Sequence, residues 1–259
     1  DPDLCLSGGW SQIIDEQVLN VPDRGFLGLH SSRLPEGRGG APVNWSLIDG
    51  ADNVWISLFY YEPGVDSGDV LAQESVPVEP RDDIGSIFDK LAIGACRLVS
   101  SVRSELEADE AAPKPQSFSE ATYRPRRQPQ DGLIEWHRDP SKQYDWIRAQ
   151  TEPYPGAYTF YGGERLTIWE GEPVDVPIED TEPGEIIDIV AGSGIDVRTG
   201  DGAFRLTRLR PGNEPSQWAD KYARETGLER GDYLGRHQAP EGWLYTGIRG
   251  VDSPTVFET

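Results

Sequence analysis

The sequence predicts an α/β unit followed by a small β-barrel, and three observations carry that prediction. In the first half, short runs rich in β-branched and aromatic residues alternate with stretches of helical periodicity. A segment rich in Ala, Pro, Gln, Ser and Arg, without periodicity, then breaks the pattern. Beyond it, short strands follow one another across glycine turns, which is the rhythm of a barrel rather than of more parallel sheet.

Taken in order, residues 3–8 (DLCLSG) read as a short buried strand and 10–19 as one or two helical turns. Residues 25–30 (GFLGLH) form a second strand ending at His30, and 31–42 a Gly- and Pro-rich loop. Residues 42–48 begin a helix, and 54–61 (VWISLFYY) is a strand by its β-branched and aromatic content. After a turn over 63–69, residues 70–78 make another strand. Ile84, Ile87, Phe88, Leu91, Ala95, Leu98, Val99 and Val102 fall at helical spacing, with Asp82 or Asp83 as the cap. The boundaries that follow are an α/β domain over 1–112, a linker draped over the surface at 113–130, a second domain over 131–240 and an unassigned tail at 241–259. Within the second domain, 139–151 reads as one helix and the strands follow from Tyr158.

Composition narrows the functional classes. Asp plus Glu number 45 against 24 Lys plus Arg, a net charge of -21, and only four of the cations are lysines. Such a surface stays solvated in concentrated salt and repels itself in dilute salt. A halophilic source is the favoured reading and ordinary acidity the alternative. A polyanionic partner is disfavoured at low salt. No apolar stretch reaches the roughly 20 residues of a membrane span, and no leader is visible, so a cytoplasmic protein without a membrane partner is expected. Cys5 and Cys96 read as buried free thiols. Three histidines without ligand-like spacing leave no metal site to propose.

Two polar residues sit at strand ends, His30 closing GFLGLH and Asp66 in the turn after VWISLFYY, where ligands bind in open α/β sheets. Residues 30–39 (HSSRLPEGRG) are very similar to the H-x-S-x-L-P-x-x-R-G signature of the folate-dependent formyltransferases. Residues 64–69 (GVDSGD) resemble that family's second signature, an aspartate in a G-x-D-x-G-D turn. The likeness extends through 131–136, 147–149, 153–157 and 184–210, from about Asp3 to Gly235.

The resemblance implies a partial Rossmann-like formyltransferase domain followed by an OB-like β-barrel, with N10-formyltetrahydrofolate as donor. His30 matches the family histidine, as oxyanion donor or proton relay, and Asp66 the aspartate that orients it and assists loss of the amine proton. Gly64, Val65 and Asp66 are then expected at the donor, and Ser32, Arg38, Asn44 and Trp45 at the acceptor. Two departures stand out. The family's asparagine, two residues before the histidine, is Gly28 here. The family's first βα units are also missing before residue 3, which implies a fragment with a partial sheet and an exposed edge.

The acceptor reading follows from charge and from one loop. A tRNA-gripping barrel should be basic, whereas 166–259 carries 9 Lys plus Arg and 18 Asp plus Glu. Ala41-Pro42-Val43-Asn44-Trp45 resembles the A-P-x-N-W loop of nucleotide amino-sugar formyltransferases. A small amine, a nucleotide-linked amino sugar, is therefore expected. Methionyl-tRNA and a degenerate folate- or sugar-binding homologue are the alternatives.

Overall fold

The computed structural model describes residues 2–10, 12–178, 181–240 and 243. Its first unit contains β1 (Cys5–Ser7), α1 (Glu16–Leu19), β2 (Phe26–His30), β3 (Arg38–Gly39), α2 (Pro42–Ile48), β4 (Asn53–Tyr60), β5 (Val70–Pro77) and α3 (Ile84–Ala108). The connecting segment contributes β6 (Tyr123–Arg124). The second unit comprises α4 (Pro140–Arg148), β7 (Ala157–Tyr161), β8 (Glu164–Val174), β9 (Ile186–Val190), β10 (Gly194–Arg198), β11 (Ala203–Pro211), β12 (Gln217–Trp218) and α5 (Ala219–Thr226).

The first sheet runs β1-β2-β4-β5, with β1 parallel to β2 and the other pairs antiparallel. β4 is internal and apolar, burying Val54, Ile56, Leu58 and Phe59. α3 covers that sheet because Ile84, Ile87, Leu91, Leu98 and Val102 recur on one face. Its N-terminus is fixed by a capping box in which Asp83 accepts from Ser86 N–H (2.8 Å) and Ser86 Oγ accepts from Asp83 N–H (3.0 Å). Pro42 opens α2 at a position whose missing N–H costs nothing.

The second unit is the antiparallel sheet expected of a small barrel, paired β7-β8-β11-β10-β9 with β12 against β11. One hydrophobic core runs through both units, joining Leu47 and Ile87 to Trp146, Ile168 and Leu209. The α/β architecture with a following β-domain is thus as the sequence indicates.

Three expectations change. The linker is not simply draped over the surface: β6 pairs in parallel with β3, Arg38 opposite Tyr123 and Gly39 opposite Arg124. Both cysteines are free as expected, but Cys96 is exposed and Cys5 only half-buried. Cys96 falls on the solvent side of α3 because the buried stripe passes through Leu91, Gly94 and Leu98 instead. The strand at 3–8 shortens to Cys5–Ser7 at the sheet edge and is only partly buried. The tail at 241–259 lies outside the described residues, Trp243 excepted. Among the described residues, no helix is long and apolar enough to cross a membrane.

Candidate active site

His30 is the last residue of β2, and Asp66 sits in the turn joining β4 to β5. That turn is sterically specified. Asp66 has a left-handed φ of 51°, a conformation that Asp tolerates better than most residues. Gly68 lies so close to the carbonyl of Tyr60 that a Cβ there could not be accommodated. The result brings Asp66 Oδ2 to 3.5 Å from His30 Nδ1, while the same oxygen accepts a hydrogen bond from Gly39 N–H (2.8 Å). His30 is 9% exposed, and its Nε2 lies 2.9 Å from Gly37 O. A carbonyl can only accept, so the neutral ring carries its proton on Nε2. Nδ1 is left facing the carboxylate.

A cavity of about 430 Å³ opens beside this pair. Trp10, Ile13, Ile14, Leu29, Phe59 and Val65 give it apolar walls, and His30, Glu62, Asp66 and Arg126 its polar groups. Gly64, Val65 and Asp66 all line it. A second cavity, about 350 Å³, is lined by Asn44, Gln128, Gln150 and Tyr154, and shares Ala41 and Arg126 with the first.

The four positions expected at the acceptor divide. Asn44 lines the second cavity while its Nδ2 donates to Ala149 O (2.7 Å). Ser32, Arg38 and Trp45 lie outside both cavity walls. Ser32 donates to Glu36 O (2.6 Å) within its own loop. Arg38 is fully buried, donating to Gln116 Oε1 (3.1 and 2.7 Å) and to Tyr123 Oη (3.0 Å). The rings of Phe118 and Tyr123 face its guanidinium. Gln116 in turn donates to Asp66 O (2.9 Å) and Gly68 O (2.6 Å). Arg38 therefore supports the Asp66 turn from behind. Trp45 donates to Pro125 O (2.9 Å), tying α2 to the connecting segment.

Sequence reasoning missed Gln116, which reaches the site only through the linker's path, and it missed Tyr61. The Tyr61 ring fills the space where a side chain at Gly28 would begin, with its Oη 2.5 Å from an ideal Cβ there. Burial above all pushes the Tyr61 phenol up; contact with Ser7 partly offsets this and the nearby Asp66 carboxylate adds to it, so the phenol stays neutral. The glycine in place of the family asparagine was the one available signal.

Comparison with known proteins accords with this geometry. The methionyl-tRNA formyltransferase of Bacillus subtilis (strain 168) is 33% identical over 235 residues, covering 90% of this chain and 73% of that protein. Among solved structures, HypX from Aquifex aeolicus in complex with tetrahydrofolic acid superposes with a TM-score of 0.67 at 20% identity, over 91% of this chain and 42% of that one. WlaRD, a sugar 3N-formyl transferase crystallised in the presence of dTDP and 5-N-formyl-THF, gives 0.58 at 16% identity, over 81% and 73%. At those identities the two structures share the fold. The sequence model described as Formyl transferase matches residues 1–102, and that described as Formyl transferase, C-terminal domain, matches 126–226. With both matched in order, the chain belongs to the formyl transferase family of enzymes.

Proposed function

We propose that this chain transfers a formyl group from N10-formyltetrahydrofolate to a primary amine at His30 and Asp66, the acceptor being a nucleotide-linked amino sugar. The observation that carries the reading is the His30 Nδ1–Asp66 Oδ2 approach of 3.5 Å in the wall of a cavity of about 430 Å³.

The cavity fits the donor. A pterin has flat faces that pack on apolar walls and an edge crowded with hydrogen-bonding groups, and the cavity offers Trp10, Ile13, Leu29 and Val65 as walls beside the Gly64–Asp66 backbone. Both structural relatives described above were solved with a tetrahydrofolate. The donor supplies an activated formyl carbon. His30 Nδ1 accepts the proton that the acceptor nitrogen loses as its bond to that carbon forms, and returns it to N10 as the C–N10 bond breaks. Asp66 stabilises the imidazolium in between. Gly39 N–H and the left-handed turn hold the carboxylate in place.

Charge supports a small acceptor. On the second sheet, Arg205 pairs closely with the buried Asp196, so this cation is neutralised locally rather than offered to a polyanion. Arg126 bridges the two cavities, where it can meet the diphosphate of a nucleotide sugar. Methionyl-tRNA is the second reading, favoured by the 33% identity to the B. subtilis enzyme.

The test incubates the purified chain with N10-formyltetrahydrofolate and either dTDP- and UDP-linked amino sugars or methionyl-tRNA, in dilute and concentrated KCl. Formamide product is read by mass spectrometry. Product from an amino sugar alone is expected, and product from methionyl-tRNA alone transfers the assignment to tRNA. His30→Ala and Asp66→Ala should each lower kcat by about 100-fold or more with an unchanged circular dichroism spectrum. Full activity in either variant refutes the reading.

A further inference from the structure

The proposed chemistry leaves one requirement unmet. Negative charge grows on the formyl oxygen as the amine adds, and a donor must meet it there. His30 Nε2 is committed to Gly37 O, and Nδ1 is needed to receive the proton. The position two residues before His30 is Gly28, which has no side chain to offer.

Tyr61 fills that gap physically. It follows β4 directly, and its N–H donates to Phe26 O (2.8 Å), extending the β2–β4 pairing by one residue. From there its ring lies across Gly28, in space that an asparagine side chain would need. A Cβ at 28 would fall within the ring as it stands, so a larger residue there requires Tyr61 to move aside. The ring packs on Phe59 with centroids 5.3 Å apart, and Phe59 meets the edge of His30 at 6.5 Å. One aromatic row therefore sets both Tyr61 and His30 in the wall of the same cavity as Asp66. Ser7, opposite Gly28 on the parallel edge strand, hydrogen-bonds the phenol.

We propose that Tyr61 is the oxyanion donor of this enzyme, its phenol O–H hydrogen-bonding the formyl oxygen in place of the carboxamide that Gly28 removes. The inference rests on the formyl-transfer reading given above and assigns Tyr61 as a catalytic residue of it.

Two measurements test the assignment. The first is kinetic. Tyr61→Phe should lower kcat by about 100-fold with the KM for the donor little changed, as expected for an interaction made mainly as charge develops. Gly28→Asn alone should fare as badly, because the side chain and ring collide, whereas Gly28→Asn with Tyr61→Ala should recover part of the rate. The second measurement is vibrational. The isotope-labelled formyl carbonyl of 10-formyl-5,8-dideazafolate, a stable donor analogue, should absorb at lower frequency when bound to the wild type than when bound to Tyr61→Phe. An undiminished kcat in Tyr61→Phe, or an identical carbonyl frequency in both proteins, overturns the assignment while His30→Ala remains inactive. If His30→Ala and Asp66→Ala are themselves fully active, the formyl-transfer reading falls and the assignment falls with it.

Discussion

Gln116 holds Asp66 and Gly68 from behind through two carbonyls while receiving Arg38 on its other atom. That division of labour gives a sharp prediction. Gln116→Glu keeps an acceptor for Arg38 and adds an ion pair, but it loses the N–H donors to Asp66 O and Gly68 O. The variant should melt at a lower temperature, because a carboxylate oxygen then faces two carbonyls, and show kcat reduced by about tenfold, on the order of 1.4 kcal/mol in the barrier. A wild-type rate would show that the turn holds Asp66 unaided. None of this was legible in the sequence, where Gln116 is one polar residue in a polar stretch. His30 and Asp66 were legible because each follows an apolar strand and sits in a distinctive local pattern. The part of Arg38 was not, because charge suggests a ligand, and only folding reveals that a cation is enclosed by an amide and two rings. Tyr61 likewise closed a run that reads simply as strand.

The elements themselves were largely foretold. β4 and α3 are long and strongly patterned, so local sequence settles them, and either Asp82 or Asp83 was expected to cap the helix. Asp83 is the cap. Asp82 instead accepts from Glu79 N–H (2.6 Å) and pairs with Lys90. Asp83→Ala should therefore cost about 1 kcal/mol of stability by denaturant titration. The β3–β6 pair escaped notice because two-residue strands carry no periodicity to read. In the second unit, Asp220 joins α5 to the β9–β10 turn by accepting from Gly192 N–H (2.8 Å) and Arg224 (2.5 Å). The Gly192 bond first, and Arg224 next, hold its carboxyl below the ordinary value of 3.8. A group depressed on folding stabilises above its unfolded pKa and ceases to do so as pH falls through the folded one. Asp220→Ala should thus be less stable than wild type by about 1.5–3 kcal/mol near neutrality, and the two unfolding curves should converge in acid. A constant gap across pH would place the effect in packing instead.

At the scale of the molecule, a net charge of -21 makes self-repulsion a collective property rather than a matter of single pairs. The melting temperature should climb as KCl is raised, by roughly 2–4 °C for each kcal/mol of repulsion screened. A flat response would mean that the acidic residues are already locally compensated. The connecting segment has its own bearing on the whole. Thr122 receives Gly37 N–H through its Oγ1 (2.8 Å) and Arg38 N–H through its carbonyl (2.9 Å), and Arg124 O receives Gly40 N–H (2.9 Å). Gly37 is the residue whose carbonyl fixes the His30 tautomer. Gly39 and Gly40 lack side chains where the backbones of Arg124 and Arg126 press against them. A stretch that looks like a tether is thus inherited with the loop that holds His30. Recombination between family genes that crosses over before residue 116 would import a foreign support for the His30 loop, whereas a crossover beyond residue 127 would spare that support and exchange Gln128, Gln150 and Tyr154 in the second cavity. A protease seeking the usual weak point between modules should find residues 122–127 protected, and the two halves should resist being cut apart there.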